Sequence, residues 1–237
     1  MKQDIVNSTP FVSDLQDLGI LKAEYADNKF ENCFDALYTR YKQVRRLRRD
    51  GNCFYRAFLF QLFEYFIREK GVEYERFVKM VVDSKDDLVK NGGYDEVAIE
   101  DFHDVFVKAV QKLKEVPVKD AVDHCKAVLC NHEDANYIIM YARFMTATYL
   151  KTNSFLFEDF VGDVAQFCLR EVEQLDVECD HPQILGITQY FGLGVEINSV
   201  NQYNGKMDII NLPDESAYAG FRPKLLYVPG HYDSLYQ

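Results

Sequence analysis

Apolar positions recur at helical spacing over most of the first four-fifths of this chain. Leu15, Leu18 and Leu21 predict a short first helix, interrupted or bent at Gly19, and Cys33, Phe34, Leu37, Tyr38 and Tyr41 predict a second. After Cys53, the positions Phe54, Phe58, Leu62 and Phe66 are flanked by Ala57, Leu59, Phe63 and Ile67. A stripe that broad predicts a helix buried on most sides, ending at Lys70-Gly71. Further helices are predicted over residues 74–90 and 99–113, separated by Asn91-Gly92-Gly93, and over 118–129, 135–149 and 160–169. In Asp180-His181-Pro182-Gln183, Asp180 can cap a helix, with Gln183 at the reciprocal position and Pro182 in the first turn. The pattern then changes. Val195, Ile197 and Ser199 alternate with polar residues, and 207–212 and 225–228 read as two more short strands. The expected fold class is α+β, a helical mass against a small sheet supplied largely by the C-terminal region.

Composition narrows the picture. The chain has 237 residues, 48% of them hydrophobic, enough for one sizeable core, and no Pro- or Gly/Ser-rich linker divides it. The first residues lack a signal-peptide pattern, and no run approaches the ~20 apolar residues that cross a bilayer. Six cysteines without framework spacing fit a reducing, intracellular setting. The formal charge of −11 disfavours nucleic acid and favours a basic partner or peptide tail. Arg45-Arg46-Leu47-Arg48-Arg49 is a basic exception and reads as a rim or ion-pairing segment, while residues 171–180 hold five acidic groups and no Lys or Arg.

Two segments carry candidate chemistry. Asp50-Gly51-Asn52-Cys53-Phe54-Tyr55-Arg56-Ala57 sets a cysteine where a turn becomes the long apolar helix. A helix N-terminus and a nearby imidazole both favour a thiolate, and a tight Gly-Asn turn can aim backbone N–H groups at a developing oxyanion. The alternative for Cys53 is a buried first-turn cysteine, common for this residue type. Near the other end, Pro229-Gly230-His231-Tyr232-Asp233 places an imidazole and a carboxylate at i and i+2, one face of a strand, with Gly230 sparing bulk beside them. The alternative there is a surface histidine near a ragged terminus. His124 and His132 lie near Cys125 and Cys130 without the paired spacing of a zinc site, so no metal is expected. His103 reads as a boundary residue, His181 as a neighbour of a cap, and Cys168 and Cys179 as inert. No phosphate loop, HExxH motif or dinucleotide fingerprint is present, and no cofactor is expected.

Through DGNCFYRA, PGHYDSLY at 229–236, and the runs at 85–89, 99–103, 170–173 and 179–181, the sequence closely resembles the otubains, ovarian-tumour-domain cysteine proteases that remove ubiquitin. The resemblance covers nearly the whole chain. It implies a papain-like ovarian-tumour protease fold, with an N-terminal helical extension over 1–30 and the catalytic domain over 31–237. It makes Cys53 the nucleophile, His231 the general base and Asp233 the residue orienting the imidazole. Asp50 matches the acidic residue that opens the motif, associated with the oxyanion region and not with proton transfer. The implied reaction is isopeptide hydrolysis in polyubiquitin, leaning toward chains joined through the lysine at ubiquitin's forty-eighth position. The acidic stretch 171–180 is a possible receiver for ubiquitin's basic tail. The branch favouring that linkage carries a longer N-terminal arm, and the 49 residues before Asp50 leave selectivity open. Two other readings stand beside it: noncatalytic inhibition by holding ubiquitin-charged conjugating enzymes, and cleavage of another linkage or ubiquitin-like modifier. The expected partners are ubiquitin, its chains and conjugating enzymes, with neither nucleic acid nor membrane, for a monomer of the cytoplasm or nucleus.

Overall fold

The computed structural model describes residues 9–25, 31–200, 206–214 and 218–237. Its centre is the broad apolar helix, α3 (Cys53–Arg68), whose side chains are almost all buried. Three of its buried residues are polar: Arg56, Gln61 and Glu64. Buried polar groups are kept where they find partners, and two of these dock the helix onto the sheet. Gln61 Nε2 donates to the Lys224 carbonyl at 2.9 Å and its Oε1 accepts the Lys224 N–H at 2.7 Å. Glu64 accepts the Tyr236 hydroxyl at 2.6 Å. Phe54 meets the Tyr232 ring edge-on at 5.4 Å. The start of the helix is thereby held against the strand that ends the chain.

Before α3 come β1 (Gln16–Asp17), α1 (Gly19–Glu24), α2 (Glu31–Arg40) and β2 (Gln43–Arg45). The predicted first helix therefore loses Leu15. Residues 16 and 17 pair with 44 and 43 instead, and the helix begins at Gly19, whose N–H donates to Asp17 Oδ1 at 2.7 Å. Gly19 starts this helix and does not interrupt it. Residues 9–25 are built into the sheet edge, through β1 and a bridge from Val12 to Leu47. The expected boundary at residue 30 lies outside the described residues.

Helices α4 (Val72–Lys90), α5 (Glu96–Lys112), α6 (Ala121–Leu129) and α7 (His132–Thr152) follow the predicted pattern; α4, α5 and α7 start earlier than expected, whereas α6 starts later, after a 3-10 turn at Val118–Asp120. Asp95 and Asn131 cap α5 and α7, and Gly93 turns the 91–93 break with φ of 75°. The helix expected over 160–169 is broken. Gly162, at φ 72°, ends α8 (Glu158–Val161), and Asp163 caps a new start at α9 (Val164–Phe167), which widens into a π-turn at Cys168–Val172. Asp180 and Gln183 form the expected capping box of α10 (His181–Phe191).

The strands β3 (Val195–Val200), β4 (Met207–Leu212), β5 (Lys224–Val228) and β6 (His231–Tyr236) complete a sheet ordered β1-β2-β6-β5-β3-β4. Only β3 and β5 run parallel among these neighbours. The outer pairing β1–β2 goes beyond the strands expected, and β6 extends the strand spacing read at His231 and Asp233 to Tyr236. β2 ends on Arg45, the first residue of the arginine block. Arg45 is buried with its guanidinium over the Phe60 and Tyr236 rings, while Arg46 reaches Glu24 and Asp233. Within the block Arg46 makes the ion pairs, while Arg45 and Arg48 donate to the Ser13 and Thr9 carbonyls.

Candidate active site

Cys53 is the first residue of α3, where position alone leaves its N–H without an intrahelical acceptor. Asn52, the N-cap, makes no side-chain cap bond to the helix. Its amide is used elsewhere: Oδ1 accepts from Arg143 Nη2 at 2.8 Å and from the Asp176 N–H at 3.1 Å, and Nδ2 donates to Asp176 Oδ1 at 2.8 Å. Gly51 has φ of 75°, and a Cβ there would lie 2.1 Å from the Asp176 carbonyl oxygen. The turn needs glycine on both counts. Asp50 accepts the Asn52 N–H on Oδ1 at 2.9 Å and Arg56 Nη2 on Oδ2 at 3.1 Å. Its carboxylate thus shapes the turn that presents Cys53.

His231 opens β6 directly opposite Val228 across a two-residue turn. Pro229 and Gly230 occupy its centre, with Gly230 at φ 79°, the pattern of a type II turn. The nearest atom to a Cβ at Gly230 would be Glu178 Oε1 at 3.4 Å, an ordinary contact. Backbone conformation, more than spared bulk, therefore accounts for this glycine. His231 and Asp233 share a face of β6, both almost fully buried. His231 Nε2 lies 2.9 Å from Asp233 Oδ1, which also accepts the Leu47 N–H at 2.8 Å. Asp233 Oδ2 is 2.9 Å from Arg46 Nε. The carboxylate is held on both oxygens and cannot turn away from the imidazole.

The second ring nitrogen, Nδ1, is buried and makes no hydrogen bond. Burial disfavours a charged His231, but the bond to Asp233 and the neighbouring Cys53 thiol outweigh it and raise the imidazole to about 9. Burial likewise opposes the charge on Asp233, and His231, Arg46 and the Leu47 N–H together hold it below the usual carboxylate range. An imidazole raised in this way is a ready proton donor near neutral pH.

Cys53 opens into a cleft of about 190 Å³ lined by Glu178, Cys179, Asp180, Tyr227, Gly230 and Tyr232. The Tyr227 and Tyr232 rings lie 4.8 Å apart on one side, and the 178–180 segment forms the other.

The sequence brought forward Cys53, His231, Asp233 and Asp50; Cys53 opens into the cleft, His231 lies buried beside the Cys53 thiol and bonded to Asp233, and Asp50 supports the turn behind. Of the acidic stretch, Glu173 is committed to Tyr94 and Lys151, at 2.7 and 2.6 Å, and Asp176 to Asn52. Glu178 and Asp180 are the members at the cleft. Cys179 also lines it, but burial pushes its thiol up strongly. His124 is half-buried with its pKa lowered by burial and Lys112, His103 bonds the Val82 carbonyl, and His181 is exposed beside Asp180. Among the described residues no group of three or more His, Cys, Asp or Glu side chains is placed to hold a metal ion. Arg46 and Arg143 were not singled out for the site. A lone arginine inside the apolar run of α7 was the one signal for Arg143.

A family model described as Peptidase C65 Otubain matches residues 4–237. Ubiquitin thioesterase OTUB1 of Homo sapiens is 34% identical over 245 residues, spanning 100% of this chain and 87% of its own. The ovarian tumor domain-containing deubiquitinating enzyme 1 of Arabidopsis thaliana is 30% identical, spanning 96% of this chain and 81% of its own. Among solved structures, a complex of ceOTUB1 with ubiquitin aldehyde and UBC13~Ub superposes with a TM-score of 0.87 at 31% identity, over 99% of this chain and 96% of that one.

Proposed function

Because this chain belongs to the otubain family of cysteine peptidases, we propose that it is a deubiquitinating enzyme that hydrolyses isopeptide bonds in polyubiquitin with Cys53 as nucleophile. The observation that carries this reading is a helix-terminal thiol that opens into a cleft and lies beside a buried imidazole–carboxylate pair. Cys53 sulfur attacks the carbonyl of ubiquitin's terminal glycine, and His231 holds the thiol proton. Charge develops on the carbonyl oxygen near the Cys53 N–H at the first turn of α3. His231 then protonates the departing lysine amine, leaving a thioester. Water, giving its proton to His231, releases ubiquitin and restores the thiol. Asp233 keeps the ring in one orientation and stabilises its protonated form.

The proposed substrates are chains joined through the lysine at ubiquitin's forty-eighth position, supported by whole-chain similarity to the otubain branch with that preference. A second reading has its own support: structural neighbours are complexes of relatives with ubiquitin aldehyde and UBC13~Ub or UBCH5B~Ub. Binding of ubiquitin-charged conjugating enzymes would accompany proteolysis. A thiol nucleophile needs a reducing compartment, and we place the protein in the cytoplasm or nucleus.

The test is cleavage of all eight diubiquitin linkages by wild type, Cys53→Ala and His231→Ala. Wild type is expected to favour the lysine-forty-eight linkage, with both variants slowed by at least about 10³-fold, in the range of lost nucleophilic and acid–base catalysis. Cleavage that persists in Cys53→Ala refutes the assignment of the nucleophile. Suppression of ubiquitin transfer that survives Cys53→Ala separates the binding activity from proteolysis.

A further inference from the structure

The Gly51–Asn52 peptide is gripped at both ends. Its N–H donates to Asp50 Oδ1 at 2.9 Å, and its carbonyl accepts from Arg143 Nη2 at 3.2 Å. A trans peptide is planar, so holding its N–H and C=O fixes the plane. The next carbonyl, Asn52 O, accepts the Arg56 N–H at 3.0 Å and so lies along the helix. The Cys53 N–H, opposite that carbonyl in its own plane, must then point out of the helix N-terminus. That helix bond sets the direction of this oxyanion donor, and the gripped peptide behind it sets where the turn delivers Asn52 and Cys53.

Arg143 does more than donate to that one carbonyl. Fully buried on α7, it also donates to Asn52 Oδ1 at 2.8 Å, to the Val177 carbonyl at 2.7 Å and, through Nη1, to the Val172 carbonyl at 3.2 Å. Its guanidinium lies over the Tyr55 ring, 4.7 Å from the centroid. These oxygens are all uncharged, and a buried cation without a carboxylate is a poor way to stabilise a core. What the fork does is join two segments. One is the turn before the nucleophile, and the other is the 172–177 stretch leading into Glu178, Cys179 and Asp180 of the cleft wall. A planar fork with several fixed donors suits that task, and a lysine ammonium does not.

We propose that Arg143 is a positioning residue for the oxyanion-binding turn, aligning the Cys53 N–H and registering that turn against the cleft wall. The inference rests on the isopeptidase reading for its catalytic consequence, but not for its structural one. Asp50 is the second jaw of the same clamp. Asp176, exposed and at φ 63°, supports it from outside through Asn52.

The test compares wild type with Arg143→Met, Arg143→Lys and Asp176→Gly. Glycine adopts the φ of residue 176 freely, so that variant guards against a loss that is merely failure to fold. Two ubiquitin probes separate the steps. A C-terminal aldehyde takes up the thiol across its carbonyl, forming an S–C bond and passing the proton to an oxygen in the oxyanion site. A C-terminal alkyl halide is attacked by the same sulfur, expels halide and forms no oxyanion. For the arginine variants kcat should fall about 10- to 100-fold, a part of what a lost oxyanion donor costs, with KM within about threefold. Aldehyde affinity should fall in step while the alkylation rate stays within about threefold. Asp176→Gly should show a smaller loss of the same kind with an unchanged melting temperature. Unchanged kcat, or aldehyde and halide reactivity falling together, overturns the proposal. Amide exchange at residues 51–53 gives a reading independent of substrate. If wild type ignores ubiquitin altogether, the proposed activity fails, and faster exchange in Arg143→Met at these amides alone still supports the clamp. Unaltered exchange rejects it.

Discussion

Replacing Asp233 with asparagine keeps the shape of the side chain and removes its charge. In the native site one carboxylate oxygen receives His231 Nε2 and the Leu47 N–H, and the other faces Arg46. An amide can satisfy only part of this set, because its NH2 group presents a donor to donors. The carboxylate is the main reason the buried imidazole is raised to about 9 from its ordinary 6.5. A raised histidine stabilises the folded protein fully below the unfolded value and loses that stabilisation as pH rises through the folded one. The window is therefore about pH 6.5 to about 9, where the folded state holds a proton that the unfolded state has released. A shift of that size corresponds to about 3 kcal/mol, a figure of order only. Without the carboxylate, burial again opposes the charge and the proton is lost near or below pH 6.5. Urea unfolding of wild type and Asp233→Asn across about pH 6 to about 9.5 reads this directly. The stability gap between the two should narrow by about 3 kcal/mol over the window, and kcat should fall by about 10² or more, within the range of impaired acid–base catalysis. Parallel stability curves would refute the assignment of Asp233 as the group that holds the imidazole's proton.

Two further perturbations test the surroundings. Gly51→Ala places a Cβ 2.1 Å from the Asp176 carbonyl oxygen at a φ of 75°; it should cost at least about 2 kcal/mol in thermal or urea unfolding and remove nearly all turnover, so a stable, active variant would dismiss the close approach. Tyr236→Phe takes the 2.6 Å hydrogen bond from Glu64, a carboxyl already raised by burial despite that bond. The variant raises Glu64 further, and a raised carboxyl loses stability as pH climbs above its unfolded value. A penalty of about 1–2 kcal/mol is expected at neutral pH, shrinking as pH falls through the raised folded-state values of Glu64 toward the ordinary 4.5, and a pH-independent loss would contradict this account.

Local pattern made most of the helical mass legible. The apolar stripe of α3, the Asn91-Gly92-Gly93 break and the Asp180–Gln183 capping box are written within a few residues of where they act. Where reading failed, the deciding partner was distant. Residues 16 and 17 became strand because 43 and 44 lie beside them, although their own surroundings suggested helix. Gly162 split the helix expected over 160–169, because a φ of 72° carries no mark in hydrophobic spacing. Arg46 and Arg143 were the largest omissions at the site, since a charged residue's pattern does not say which buried acceptors it will find.

From sequence alone came the kinds of chemistry available: a thiol at a helix start, a histidine and carboxylate at strand spacing, and a turn that needs glycine. Those properties depend on neighbours along the chain, through backbone periodicity and local sterics. The tertiary structure alone decided that Gln61, Glu64 and Phe54 dock α3 on the terminal strands, putting Cys53 beside His231 although 178 positions separate them. It also decided that Arg46 restrains Asp233 and Arg143 clamps Gly51. Burial, hydrogen-bond partners and proton affinity arise from what packs around a group, and that packing is a property of the whole fold.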